Sequence, residues 1–404
     1  MPGFVLSDPF QHLNPPLDML PVLPMLIGFG VTVIATWLLC RLSKVLNIGH
    51  DSAQGVQKFH VNPTSRLGGM AIFFGLAVSG LVVSGIETSG LTGYGLTGLG
   101  PLSGENHSLS SEFHHYSFWF LLASMPVWLA GLTEDLTNRV GPTLRLVMAT
   151  MSATWLFVAL GVSVNRTDVW PIDLLLSMPG APLCVTLLVV TGFTHAVNIV
   201  DGFHGLACGL VIIALSGLAF MAWKVGDALL LKMCLTSLAV VLGFFVFNWP
   251  KGTIFLGDAG AYLTGFCVVE LGILLAMRNP QISPMALVVV GLLPLIETLF
   301  SMYRRNAIRN HPVAQPDALH LHTLVYRRLL LNPGLTYTIN QLNTVNAKVA
   351  VFFWLPAAIL ACLACTFSES TGVQLVLMLI YFVMYNWLYL RLVRFKVPAF
   401  MRFR

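Results

Sequence analysis

Apolar residues fall along this chain in long unbroken runs, not at the alternating or three-and-four spacing of a soluble domain. Eleven runs approach the roughly 20 apolar residues that a spanning helix needs: 20–42, 67–87, 117–132, 144–164, 183–200, 205–223, 229–249, 260–278, 284–303, 347–367 and 372–391. Polar residues are confined to the breaks between them. The pattern predicts an all-α polytopic membrane protein with about 11 transmembrane helices. The break 88–116 is rich in Gly and Ser and holds no Lys or Arg, so it reads as an external loop, with a short amphipathic element as the alternative. No internal repeat is visible, and no polar stretch is long enough for a second core, so 1–404 is expected to be a single membrane-embedded domain.

Composition sharpens this. Charged residues make up 10% of the 404 and apolar types 56%, with a mean hydropathy of +0.80. A soluble domain carries roughly 25% charged residues. A soluble enzyme, a disordered chain and a nucleic-acid binder are excluded. The seven Cys fall in or beside apolar runs, and Cys362-x-x-Cys365 has no second ligand pair, so neither a disulfide framework nor a metal knuckle is expected.

Charge placement gives an orientation. Alternating the runs puts every Lys and Arg except Arg166, Lys224, Lys232 and Arg278 on one side. The positive-inside rule makes that side cytoplasmic, with the N-terminus outside (periplasmic) and the C-terminus inside.

Candidate chemistry gathers in five cytoplasmic breaks. The first, Lys58 to Gly69, joins cations and hydroxyls to a Gly pair at a helix head, where amides and cations both suit phosphate. It also reads as an ordinary positive-inside loop. The second places Glu134 beside Asp135, a like-charge pair that a cation or shared proton would relieve. Hard cations such as Mg²⁺ take such oxygen ligands. The plain alternative is a solvated acidic helix end.

The third, Asn198 to Gly205, brings an amide and Asp201 into a tight Gly-x-x-Gly turn, or is simply a polar-tipped hairpin. In the fourth, Asp258 lies between glycines and Phe255 precedes it, able to stack on a base or to anchor at the interface. The fifth, 304–346, carries Arg304, His320 and His322. Two His two residues apart do not share a helix face, so an extended or loop segment is expected there. His195, near a span end, reads as a hydrogen-bonded structural residue. Together the five describe a site for a divalent metal and polyphosphate.

At NIVDGFHGLACG (198–209), FLGDAGAYLTGF (255–266) and PDALHLHTLVYRR (316–328) the sequence resembles the polyprenyl-phosphate N-acetylhexosamine-1-phosphate transferases. The likeness runs from Lys58 to Arg328 in family order. It implies attack of undecaprenyl phosphate on a UDP-N-acetylamino sugar in a bacterial inner membrane, with UMP leaving and Mg²⁺ (Mn²⁺ as a substitute) as the metal. The resemblance implies catalytic roles for Glu134, Asp135, Asp258, His320 and His322. It implies metal ligation by Asp258, Asp135 and Asp201. Substrate contacts would come from Lys58, Arg66, Asn198, Asp201, Phe255 and Arg304. The bilayer is the other partner, and a homodimer is compatible with it.

Three departures stand out. Glu134 replaces the usual first Asp, and His204 replaces an Asp or Asn of the Gly turn. Thr323 follows His322 where the peptidoglycan branch continues with His, which favours the surface-polysaccharide branch. The rival to an enzyme is a transporter or lipid flippase, suggested by Glu270 and Glu297 inside spans. A CDP-alcohol phosphotransferase would need an Asp-Gly-x-x-Ala-Arg signature, which is missing.

Overall fold

In the computed structural model the described residues are 22–46, 49–51, 64–83, 86, 104–308, 319–331 and 335–395. They are helical almost throughout. In chain order the helices are α1 (Val22–Leu46), α2 (Gly68–Ala77, continued by a π-turn Val78–Val83), α3 (Gly104–Thr137), α4 (Pro142–Leu160), α5 (Trp170–Leu176), α6 (Ala181–Val200) and α7 (Leu206–Val225). They continue with α8 (Ala228–Asn248), α9 (Gly257–Arg278), α10 (Pro284–Val290), α11 (Leu292–Tyr303), α12 (Leu321–Val325), α13 (Ile339–Thr366) and α14 (Thr371–Val393). A two-residue ladder, β1 (His50–Asp51) with β2 (Thr64–Ser65), is antiparallel.

Among the described residues nine helices are long and apolar enough to cross a membrane, or ten if α10 and α11, bent by 77° at Gly291, count together as one span. Gly68–Val82 is shorter. Each of the eleven apolar runs is therefore met by a helix, and the protein is a multi-pass membrane protein. The break expected to be a loop at 88–116 is partly helix, because α3 already begins at Gly104. The short α5, opened by an exposed Trp170, was not anticipated. All seven cysteines are unbridged, as expected.

The bundle is organised around α9. Seventeen of its 22 residues are buried, from Gly257 to Leu275. It packs against α2, α3, α6, α7 and α8. α1 and α14 lie outside, with Leu26, Ile34, Leu379 and Val383 facing outward as lipid-facing residues do. Small residues let the site end close tightly. A Cβ on Gly131 of α3 would stand 2.5 Å from the Ala259 amide nitrogen. Gly257, which opens α9, has φ +72°, and a Cβ there would meet the Arg66 carbonyl at 2.0 Å.

Candidate active site

The first turn of α9 sets the site. Its amides need acceptors, since a helix start leaves N–H groups unpaired. Asp135, from the end of α3, supplies them. Its Oδ1 accepts from the Asp258 amide and its Oδ2 from the Ala259 amide, both at 2.9 Å. Arg66 Nε lies 3.2 Å from the same Oδ1, and Asp135 is 2% exposed. Asp135 is thus a cap donated across the bundle, favoured by the positive end of the helix dipole.

Asp258 projects from that turn into a cluster of cations and amide. Its Oδ1 accepts from Arg66 Nη2 at 3.2 Å and from Asn198 Nδ2 at 3.1 Å. Its Oδ2 pairs with Arg145 Nη1 at 2.5 Å. Arg66 also reaches Asn138 Oδ1 at 3.1 Å. Four elements therefore meet at one carboxylate. Asp201, just past the end of α6, faces the same charge. Loss of water around its carboxyl, added to by Asp258, pushes it up to about 7, against the pull of Arg66.

The histidine segment approaches from the other side. Glu297 of α11 is buried and accepts from the Leu321 amide (3.2 Å), the His322 amide (3.1 Å), His322 Nδ1 (3.0 Å) and the Tyr385 hydroxyl (2.7 Å). It acts as a brace that starts α12 and aims both rings. The expected extended segment is only half right. His320 is extended, with φ −62° and ψ 150°, but α12 begins at Leu321 and carries His322. The two rings stack, 5.1 Å apart and 7° from parallel. His322 stands over the Gly202 turn, with Phe203 5.7 Å from its ring. Burial pushes the His322 imidazole below the ordinary histidine range, opposed by Glu297.

The remaining candidates take more structural places. Glu134 Oε2 accepts from the Val140 amide at 2.8 Å, closing the turn after α3. Arg304 is buried; it donates to the Leu319 carbonyl and the Tyr389 hydroxyl, and lies over the Tyr389 ring, so it anchors the histidine segment to α14. Phe255 is half-buried beside His204, 5.8 Å between rings. His204 is buried, its amide bonded to Asn346 Oδ1 and its Nδ1 at the Pro250 carbonyl. Lys58 lies outside the described residues. The amides at the head of α2, expected to suit phosphate, are spent: Gly68 and Gly69 donate to the Phe255 and Leu256 carbonyls.

A metal triad of Asp258, Asp135 and Asp201 is not preassembled. Asp135 has committed both oxygens to amides. Among the described residues, the group whose ligand atoms converge within 4.8 Å is Glu297, His320 and His322. There each Glu297 oxygen already accepts two hydrogen bonds. Asp258 and Asp201 offer the hard oxygen donors that a divalent cation takes, and their mutual repulsion is what a cation relieves.

Sequence reasoning missed Arg145. Its signal was available: a cation near the start of a helix opposes the dipole, a cost that calls for an anionic partner. The role of Glu297 was missed too, because a lone acid inside a span reads as part of an ion path. Here it is consumed by the histidine segment.

Comparison with known proteins fits this geometry. Residues 117–276, from α3 through α9, match the profile described as Glycosyl transferase family 4. A probable undecaprenyl-phosphate N-acetylglucosaminyl 1-phosphate transferase of Bacillus subtilis is 34% identical over 139 residues, 34% of this chain and 38% of that protein. An undecaprenyl-phosphate alpha-N-acetylglucosaminyl 1-phosphate transferase of Salmonella typhi is 27% identical over 299 residues, 71% of this chain and 76% of the relative. A decaprenyl-phosphate N-acetylglucosaminephosphotransferase of Mycolicibacterium smegmatis is 28% identical over 294 residues, 65% of each chain. The chain thus spans from about two fifths to about three quarters of the length of these relatives.

Proposed function

We propose that this chain is a member of glycosyl transferase family 4 and transfers an N-acetylamino-sugar 1-phosphate from a UDP-sugar to undecaprenyl phosphate. UMP leaves, and a polyprenyl-diphosphate sugar remains in the bilayer to start a surface polysaccharide. One observation carries this reading: among the described residues four of the polar breaks meet at Asp258, through Arg66, Asp135 and Asn198, and the fifth reaches the third where His322 stands over Gly202. Relatives similar over 139 and 299 residues carry transferase names of this kind.

Asp258 and Asp201 would hold the metal, Mg²⁺ or Mn²⁺, which when bound neutralises the charge that builds on the transferring phosphoryl group. Arg66 and Arg145 are the cations within reach of phosphate oxygens there. Asp135 fixes the α9 turn so that Asp258 keeps its aim. Glu297 and Tyr385 present His322 toward Gly202, where the nucleotide would pass. Phe255 is the ring placed for the uracil. The site end faces the cytoplasm of a bacterial inner membrane, by the asymmetry of Lys and Arg.

The test is UMP release by the purified full chain in detergent, with undecaprenyl phosphate, Mg²⁺ and a panel of UDP-N-acetylamino sugars. Metal- and lipid-dependent UMP from one donor is the expected result, abolished by EDTA. Folded protein that releases no UMP from any donor overturns the reading.

A further inference from the structure

One imidazole beside the site has a fixed proton and an unused lone pair. His195 Nδ1 lies 2.9 Å from the Thr191 carbonyl oxygen. A carbonyl can only accept, so Nδ1 carries the proton and the neutral ring presents its lone pair at Nε2. That Nε2 is buried and meets no hydrogen-bond partner among the described residues. This is the arrangement of a proton acceptor held in one tautomer by its backbone neighbour.

Its place in the helix is informative. Thr191, His195, Asn198 and Asp201 climb one face of α6 in steps of four, three and three residues. Asn198 holds Asp258, so His195 sits one turn deeper, on the bilayer side of that carboxylate. The charged and titratable groups that act on the ring are Arg145 of α4 with Asp258 and Tyr262 of α9. The Tyr262 ring is 5.0 Å away. Arg145 Nε is also buried without a hydrogen-bond partner among the described residues. One turn below the ring, the Thr150 and Thr191 hydroxyls tie α4 to α6 at 3.2 Å. On either side of that tie α4 turns Leu146, Val147, Met151 and Val158 outward. A buried donor and a buried acceptor, neither with a hydrogen-bond partner among the described residues, thus lie beside the head of an apolar helix face.

Both carboxylates of the acidic pair, for which the resemblance implies catalytic roles, accept hydrogen bonds from the backbone, Asp135 from two amides and Glu134 from one. We propose that His195 is a further catalytic residue of the transfer proposed above, on which this inference rests. Its Nε2 accepts the proton of the polyprenyl phosphate arriving from the bilayer, while Arg145 Nε donates to the same phosphate. The O–H bond of the lipid phosphate breaks and its proton passes to Nε2. The freed oxygen bonds to the β-phosphorus of the UDP-sugar. The bond from that phosphorus to the bridging oxygen breaks, UMP leaves with that oxygen, and the ring returns its proton to water.

The experiment compares the full-length wild type with His195→Gln and His195→Ala in detergent. UMP release is followed from about pH 5.5 to about 8.5, spanning the second phosphate ionisation near 6. UDP-sugar binding and thermal melting serve as controls. His195→Gln should lower kcat about 100-fold near pH 6, the usual scale of a lost proton acceptor. UDP-sugar binding should be retained. The deficit should shrink as pH rises, because the lipid phosphate then sheds its proton unaided. Added imidazole should partly restore His195→Ala. Unchanged rates, or a deficit equal at every pH without rescue, overturn the inference.

A second readout is independent of turnover. In ³¹P NMR the ionisation midpoint of bound polyprenyl phosphate should differ between the wild type and His195→Gln, and identical midpoints overturn the inference. Normal UMP release by His195→Gln defeats this inference alone. A wild type silent toward every donor, yet showing the His195-dependent midpoint, defeats the sugar-transfer reading alone.

Discussion

Two aspartates that look equivalent in the sequence do different work in the fold, and substitution should separate them. Asp258 points its oxygens at Arg66, Arg145 and Asn198, whereas Asp135 spends both on the α9 amides. Asp258→Asn should cut UMP release by a factor of about 100 or more, the scale of a lost charge-stabilising group, and leave thermal melting in detergent nearly unchanged. Asp135→Asn should lower both, since a buried amide loses its acceptor at a cost of about 1–3 kcal/mol. Equal melting temperatures for the two variants would contradict this division. Asp201 adds a pH signature. Its carboxyl sits at about 7 in the fold against an ordinary 3.8, so the unfolded chain ionises first. The contribution of Asp201 to the stability of the metal-free protein should fall as pH rises from about 4 to about 7 and level off above. Asp201→Asn removes that slope, so its melting advantage should grow across the same interval and then stay constant.

These roles were only partly legible beforehand. That Asp135, Asp201, Asp258 and His322 would share one end of the bundle could be read from the spacing of apolar runs. What each acid touches could not, because the decisive partners come from residues 60 to 192 positions away, as Asn198 does for Asp258 and Arg66 does for the same group.

At the scale of helices, the site depends on how closely α3 and α9 approach. Gly131 lies against the Ala259 backbone, so any side chain there pushes on the turn that carries Asp258. Gly131→Val should destabilise the protein by about 1–3 kcal/mol or more, as overpacking does, and should abolish UMP release even in molecules that remain folded. Gly192→Ala is the control. It lies on α6 with nothing within 4 Å of its would-be Cβ, and should leave turnover intact while raising melting slightly. The helix starts and stops were the readable part at this scale. Pro142 and the glycines at 161, 205 and 226 punctuate the runs, and helices end or begin there. The break at Gly291 was not readable, because the apolar run 284–303 continues through it without a polar interruption.

For the whole molecule, the asymmetry of Lys and Arg predicts which end meets the cytoplasm. Lys251 is exposed beside the site end, and Glu369 is exposed at the other. In a background with Cys184 and Cys362 replaced by Ser, Glu369→Cys should react with an impermeant maleimide on intact spheroplasts. Lys251→Cys should react only after lysis. The reverse pattern would invert the proposed topology.

The 77° turn between α10 and α11 has a mechanical consequence. α11 leaves the bundle with Leu299 and Tyr303 exposed to the surroundings, yet its inner face carries Glu297, the brace of the histidine segment. A helix bent within the bilayer answers changes in hydrocarbon thickness by changing its tilt. Any change in the tilt of α11 would therefore carry Glu297 with it, and through Glu297 the aim of His322.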